Sequence, residues 1–246
     1  MSENIILLYG LLFLLAFLYA SVGHGGASGY LALMALFSFS PEVMKPTALL
    51  LNLFVSLTSF IQFYRGKYFI KKIFLPLALA SIPMAFIGGA LVMDGALYKK
   101  ILGLLLLIPV ARFLLFSNTP SSELKKSNTP LSLLIGAAIG FLSGLIGIGG
   151  GIILSPVLLF LKWTDQKQTA AISALFIFVN SLAGLAGQFT KGIQFNSTMA
   201  GYVLIAFAGG LLGAYLGAIR FKQSLLKNIL AIILLLAAAK LIFSGS

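Results

Sequence analysis

The chain has no cysteine, a single histidine and only 5 acidic residues among its 246. Without cysteine there is neither a disulfide nor a thiolate metal site, and His24 by itself cannot build a histidine cluster. The acidic residues Glu3, Glu42, Asp94, Glu123 and Asp165 all fall in connectors or at the ends of apolar blocks. No carboxylate is left for a proton relay or a dehydrated sodium site inside an apolar environment. Paired carboxylates, a Ser-His-Asp set and metal ligands are all missing, so the sequence does not read as an enzyme and calls for no cofactor. Long polar stretches are scarce too: the longest, Ser117 to Pro130, reads as a linker.

What is present is apolar. Hydrophobic residues make up 60% of the chain and charged ones 9%, a mixture that a soluble domain of this size could not cover with polar surface. The apolar residues come in blocks of roughly 16 to 24, near the ~20 that a helix needs to cross the hydrocarbon layer. The expectation is an all-α polytopic protein of the cell (inner) membrane, with the lipid bilayer as part of its solvent. The first block, Ile5 to Val22, lacks a basic leading region and is followed by Gly-His-Gly-Gly rather than a small-x-small cleavage site, so it is expected to remain. The net charge of +12 sits in short connectors between blocks, not on one basic face, so membrane topology accounts for it and no nucleic-acid partner is expected.

Set against itself, the chain matches at separations of about 121 to 128, the mark of an internal duplication. Gly23, Gly25 and Gly26 match Gly147, Gly149 and Gly150, with His24 opposite Ile148. Ala48-Leu49 matches Ala174-Leu175, Gln62-Phe63 with Gly66 matches Gln188-Phe189 with Gly192, and Gly88-Gly89 matches Gly209-Gly210. The expected division is a first transmembrane repeat over 1–117, a cytoplasmic linker over 118–130 and a second repeat over 131–246. Each half is an apolar block broken by glycines, then three whole blocks.

Charge decides the topology, because Lys and Arg of short loops collect on the cytoplasmic side. If each broken block goes in and returns, 12 of the 17 basic residues fall on one side; Lys45, Lys99, Lys100, Lys191 and Lys240 make the 5 on the other. If each crosses once, the split is 9 against 8. The sequence therefore predicts two inverted repeats, each with a re-entrant or hairpin segment plus three transmembrane helices, and both termini outside the cytoplasm.

The breaks are where chemistry is expected. Ser143-Gly144-Leu-Ile-Gly147-Ile148-Gly149-Gly150-Gly151 and Gly23-His24-Gly25-Gly26 each precede a short apolar piece, and the first N–H groups of a helix have no intrahelical partner. Such an end suits an anion. Irregular backbone at membrane depth also points to a site, because only protein or a watery cavity can satisfy it. No Lys-Ser/Thr pair follows the glycines, which sets a nucleotide loop aside. The candidate substrate-binding residues are Gly23, His24, Gly25, Gly26 and Ser28 in the first break, Ser143, Gly147, Gly149, Gly150, Gly151 and Ser155 in the second, and Asn52 and Asn180 in whole blocks. Arg112 and Lys240, at matching block ends, are expected to reach toward the headgroups.

At these two breaks the sequence resembles the TauE/SafE family of membrane permeases, described as sulfite or sulfonate exporters. The matching residues are Ser143-Gly144-Leu-Ile-Gly147-Ile-Gly149-Gly150-Gly151 with Pro156, and Gly23-His24-Gly25-Gly26-Ala-Ser28-Gly29-Tyr30. The resemblance implies a secondary transporter for a small sulfur-containing oxyanion or organosulfonate. From the residues alone the partners are a small anion and lipid, with proton coupling open through His24 and an oligomer compatible with the sequence. A small-anion channel is the competing reading.

Overall fold

The structure is a computed structural model and describes residues 2–21, 26–115, 124–192, 197–220 and 223–243. The described residues form ten α-helices and no strand. In the first half these are α1 (Ser2–Ser21), α2 (Ala27–Leu36), α3 (Pro41–Arg65), α4 (Lys71–Ala90) and α5 (Gly95–Leu115). In the second they are α6 (Thr129–Ile146), α7 (Gly151–Phe160), α8 (Gln166–Phe189), α9 (Ser197–Arg220) and α10 (Gln223–Phe243). The protein is thus all-helical, and α3, α4, α6 and α8 are long and apolar enough to cross a membrane by length and composition. Large aliphatic side chains such as Leu79, Leu134, Leu204 and Leu236 stand more than half exposed on the outside, which suits hydrocarbon rather than water.

The scarce acids have local work at helix starts. Asp94 accepts from the N–H groups of Ala96 and Leu97 at 2.8 and 3.0 Å at the head of α5. Asp165 closes a reciprocal capping box with Gln168 at the head of α8. Both satisfy N–H groups that the helix itself cannot.

Small residues set the packing. On α6, Gly136, Gly140 and Gly144 lie against the carbonyls of Leu77, Ser81 and Ala85 on α4, advancing in steps of four on both helices, so the two run parallel with backbones touching. On α9, Gly209 and Gly213 lie in the same way against Phe13 and Phe17 of α1. Without a hydrophobic drive between helices in lipid, such close approach supplies the association. The pairs α3 with α8 and α5 with α10 pack the other way round. The start of α3 shares a pocket with the end of α8, while Lys167 at the start of α8 donates to Tyr68 just past the end of α3 at 3.0 Å. Likewise Gly103, early in α5, meets Ala238 and Ile242 late in α10.

Each broken block turns back on itself. The Lys125 N–H, ahead of α6, donates to the Lys162 carbonyl, just past α7, at 2.8 Å. Near the start of α1, Tyr9 stacks edge-on to Tyr202, and Phe39, just past α2, packs on that same ring. The returning pieces α2 and α7 are 10 residues each, about 15 Å or half of the ~30 Å hydrocarbon thickness. Of the expected linker, residues 118–123 lie outside the described part of the chain, and 124–128 form the non-helical lead into α6.

Candidate functional site at the two helix breaks

The start of α2 and the turn between α6 and α7 come together on one small cavity of about 10 Å³. Tyr19, Gly26, Ala27, Ser28 and Asn52 line it from the first half, and Ile148, Ile152 and Ile177 from the second. That volume holds about one water-sized sphere. A tetrahedral oxyanion can enter only after the lining helices separate, so the centre is shut in this conformation.

Glycine is required at the turn. Gly149 and Gly150 sit at φ 71° and 77°, in the left-handed region that side chains with a Cβ rarely adopt. Space forbids a Cβ as well: one on Gly149 would lie 2.5 Å from the Asn52 amide nitrogen and 3.1 Å from Ser181 Oγ. These conformations let α6 end and α7 begin within four residues. Gly147 caps α6 by donating to the Ser143 carbonyl at 2.8 Å, and the Gly150 carbonyl receives the first bonds of α7, from Ile153 and Leu154. The N–H groups of Gly151 and Ile152, ahead of those bonds, have no partner in the helix by geometry. In the first half Gly26 plays the part of Gly150 as the left-handed N-cap of α2.

The polar side chains at the cavity come from the first half. Tyr19 and Ser28 share a hydrogen bond of 2.8 Å between their hydroxyls. Asn52, near the middle of α3, donates from Nδ2 to Ser181 Oγ at 3.3 Å and leaves its buried Oδ1 without a partner. Turning the amide over would let Ser181 donate to Oδ1 and would present Nδ2 to the cavity as a donor. Tyr30 is fully buried, its ring stacked beneath Gly26 and its hydroxyl without a partner. No charged side chain among the described residues lines the cavity; its electrostatics come from two half-helix N-termini, both positive ends.

The expected site residues separate into groups. Gly26, Ser28 and Asn52 line the cavity, Gly149 abuts Asn52, and Gly151 packs on Ile177. Ser143 lies one layer behind, 3.3 Å from where a Gly150 Cβ would sit, with its buried hydroxyl unpartnered. Gly147 abuts the backbone of Lys45. Ser155 turns to Gly151 O and Ser173 Oγ, both at 2.8 Å, and Asn180 donates to Phe176 O of its own helix at 2.8 Å. Gly23, His24 and Gly25 lie outside the described residues. Three residues outside the expected set stand with them: Tyr19 lines the cavity, Tyr30 lies against Gly26 and Ser181 accepts from Asn52; two tyrosines inside otherwise aliphatic blocks are the signal that the sequence offers for them. Lys240, expected to reach the headgroups, donates instead to Leu36 O at 2.6 Å and Ser38 Oγ at 3.3 Å, which satisfies the end of α2.

The family profile described as sulfite exporter TauE/SafE matches residues 8–241. The chain belongs to this family. A Sinorhizobium fredii protein named "Probable membrane transporter protein y4hK" is 38% identical over 237 residues, covering 94% of this chain and 95% of its own. The Bacillus subtilis protein named "Probable membrane transporter protein YunE" is 25% identical over 227 residues, with 84% and 82% covered. An Arabidopsis thaliana protein named "Sulfite exporter TauE/SafE family protein 1" is 32% identical over 74 residues, 30% of this chain and 16% of its own. No solved structure matches this chain. Family and helix composition agree on a multi-pass membrane transporter.

Proposed function

We propose that the protein moves a small sulfur-containing oxyanion or organosulfonate, such as sulfite, across the cell membrane by alternating access, with the cavity between the two breaks as its binding site. One observation carries the reading: both breaks line one central cavity, beside a buried Asn52 amide with one end unpaired. Backbone N–H groups at the heads of α2 and α7, the Tyr19–Ser28 hydroxyl pair and the Asn52 amide are the donors an oxyanion needs. Among the described residues no positive charge lines the cavity, so dipoles there hold the ion and release it without breaking a salt bridge. The shut centre favours a carrier, which must open to load, over a standing pore.

Two inverted repeats would give such a carrier its two faces. In support, α3 and α8, the matching helices of the two halves, run antiparallel, and the matched glycines Gly88 and Gly209 abut carbonyls of the first helices of the two hairpins, at Phe141 and Phe13. With the basic connectors inside, both termini lie outside the cytoplasm. Among the described residues no carboxylate is buried for coupling to use; His24 or a proton carried by the substrate remains for it.

The test is counterflow of labelled sulfite in proteoliposomes, comparing the native chain with Asn52→Ala and Gly150→Leu. Saturable counterflow is expected, falling about tenfold or more in Asn52→Ala, the range for a lost hydrogen bond to a charged ligand, with the thermal midpoint in detergent nearly kept. Gly150→Leu should abolish it. Undiminished counterflow in Asn52→Ala defeats the site, and uptake without counterflow defeats the carrier in favour of a channel.

A further inference from the structure

A second polar set lies at the end of the bundle where α3 starts and α8 ends. A pocket of about 380 Å³ is lined there by Glu42, Lys45, Gln188 and Lys191, with apolar walls from Leu91 and Met93 among others. Gln188 is only 3% exposed, yet neither its amide oxygen nor its amide nitrogen has a hydrogen-bond partner. Buried polar atoms are nearly always paired, so a residue with both ends unpaired needs a reason. Lys45 lies over the Tyr98 ring at 4.7 Å, and among the described residues no carboxylate stands within ion-pair distance of either ammonium. Burial also pushes the Lys191 ammonium below its ordinary range, as expected for a cation with no counter-charge. Two ammoniums and an idle amide against one carboxylate leave the pocket one negative charge short.

The pocket continues the central site. Lys45 and Asn52 are two turns apart on one face of α3, and Gln188 and Ser181 are two turns apart on one face of α8, a rise of about 10 Å in each case. Because the helices are antiparallel, Lys45 and Gln188 form a polar layer above the hydrogen-bonded Asn52–Ser181 layer. Between the layers, Leu49 of α3 packs on Gly184 of α8, its Cδ1 3.2 Å from where a Cβ would stand.

We infer that this pocket is a second anion site, an outer subsite in which Lys45, Lys191 and the Gln188 amide hold a water-soluble oxyanion on its way to or from the central cavity, with Leu49 as the barrier between the two. Its place on a transport path rests on the function proposed above; anion binding in the pocket does not. Glu42 tempers the site, which keeps the ion from being trapped by two lysines.

The natural absence of cysteine supplies the experiment. A lone thiol at the pocket wall, Met93→Cys, is labelled with N-ethylmaleimide in phosphatidylcholine nanodiscs while sodium sulfate replaces sodium chloride at constant ionic strength. Sulfate should slow labelling several-fold at saturation. Lys191→Gln in that background should raise the half-protecting concentration by about tenfold, the worth of a charge-assisted bond, Gln188→Leu should raise it similarly, and Glu42→Gln should lower it. No protection, or protection unchanged by Lys191→Gln and Gln188→Leu, overturns the subsite, as does slowed labelling that requires phosphatidylglycerol in place of sulfate. Asn52→Leu separates the two proposals. If it stops sulfite flux while sulfate fails to protect the thiol, the subsite falls and the transport site stands; if protection holds and flux is undiminished, the reverse is true.

Discussion

The two hairpins, α1–α2 and α6–α7, each end in a ten-residue helix begun at a left-handed glycine, and they divide the chemistry unequally. In the first, the cavity wall is polar: the Tyr19 and Ser28 hydroxyls bind each other, and Asn52 stands on the adjoining α3. In the second, the wall is Ile148, Ile152 and Ile177, and the Ser155 hydroxyl is taken up by Ser173. Their supports differ too. The hairpin helix α6 carries three of its own glycines against α4, whereas α1 presents Phe13 and Phe17 to glycines on its partner α9. The two sequence-matched halves thus share helix spacing but not residue identities: either member of a helix pair can supply the missing Cβ, and either half of the cavity the donors. What both halves cannot lose is the close crossing and the left-handed turn.

The largest effect tests that claim. A leucine at Gly144 would drive its Cβ into the backbone of Ala85, where no side chain can yield. Gly144→Leu should destabilise the protein by roughly 3 kcal/mol or more, since overpacking against main chain must move a helix, and size-exclusion profiles and thermal midpoints in detergent would show it. Gly213→Leu, against Phe17 of α1, should do comparable damage. If one is harmless and the other not, the two crossings are unequal and the shared-backbone account fails.

The division of chemistry is tested at smaller cost to the fold. Tyr19→Phe deletes only the hydroxyl that meets Ser28. If the first half supplies the donors, sulfite counterflow should fall about tenfold, as for one lost bond to a charged ligand, while stability falls by about 1 kcal/mol. Ile152→Val, on the apolar side of the same cavity, removes one methylene and should cost ~1 kcal/mol of stability with flux changed by less than about threefold. Equal flux losses in the two variants would mean that the cavity wall acts by shape alone.

Much of this was legible before any coordinates. The Gly149-Gly150 turn follows from punctuation by glycine, and the all-helical class from the length and spacing of the apolar blocks, because these signals are local or additive. The Asn52–Ser181 bond joins residues 129 apart, and the Tyr19–Ser28 bond depends on how tightly a turn folds back; neither distance is encoded in spacing. Lys240 shows the same limit. A basic residue at a block end reads as a headgroup contact, and only the nearness of α2's last carbonyls makes it a cap instead. Ser155 and Asn180 have residue types that suit an anion, and in this structure both donate to carbonyls of their own helices, since a donor within reach of a backbone carbonyl readily takes it.

The smallest effect separates α3 from α8 at their starts. The Asp165 side chain accepts from the Gln168 N–H at 2.8 Å while the Asp165 N–H donates to Gln168 Oε1 at 3.1 Å. At the matching start of α3, Ser40 makes no side-chain cap bond, and Pro41 brings one fewer N–H to satisfy. Asp165→Ala should therefore cost about 1 kcal/mol and Ser40→Ala only a few tenths, read as shifts of thermal midpoint in one detergent. Since α8 carries Ser181 and Gln188 and α3 carries Lys45 and Asn52, a stability loss confined to Asp165→Ala, with counterflow unchanged in both variants, would show that the caps set helix ends without moving the layers between them. A larger loss from Ser40→Ala would mean that the start of α3 is held by the serine itself, and that its pairing with α8 is less even than the match between the two sequences suggests.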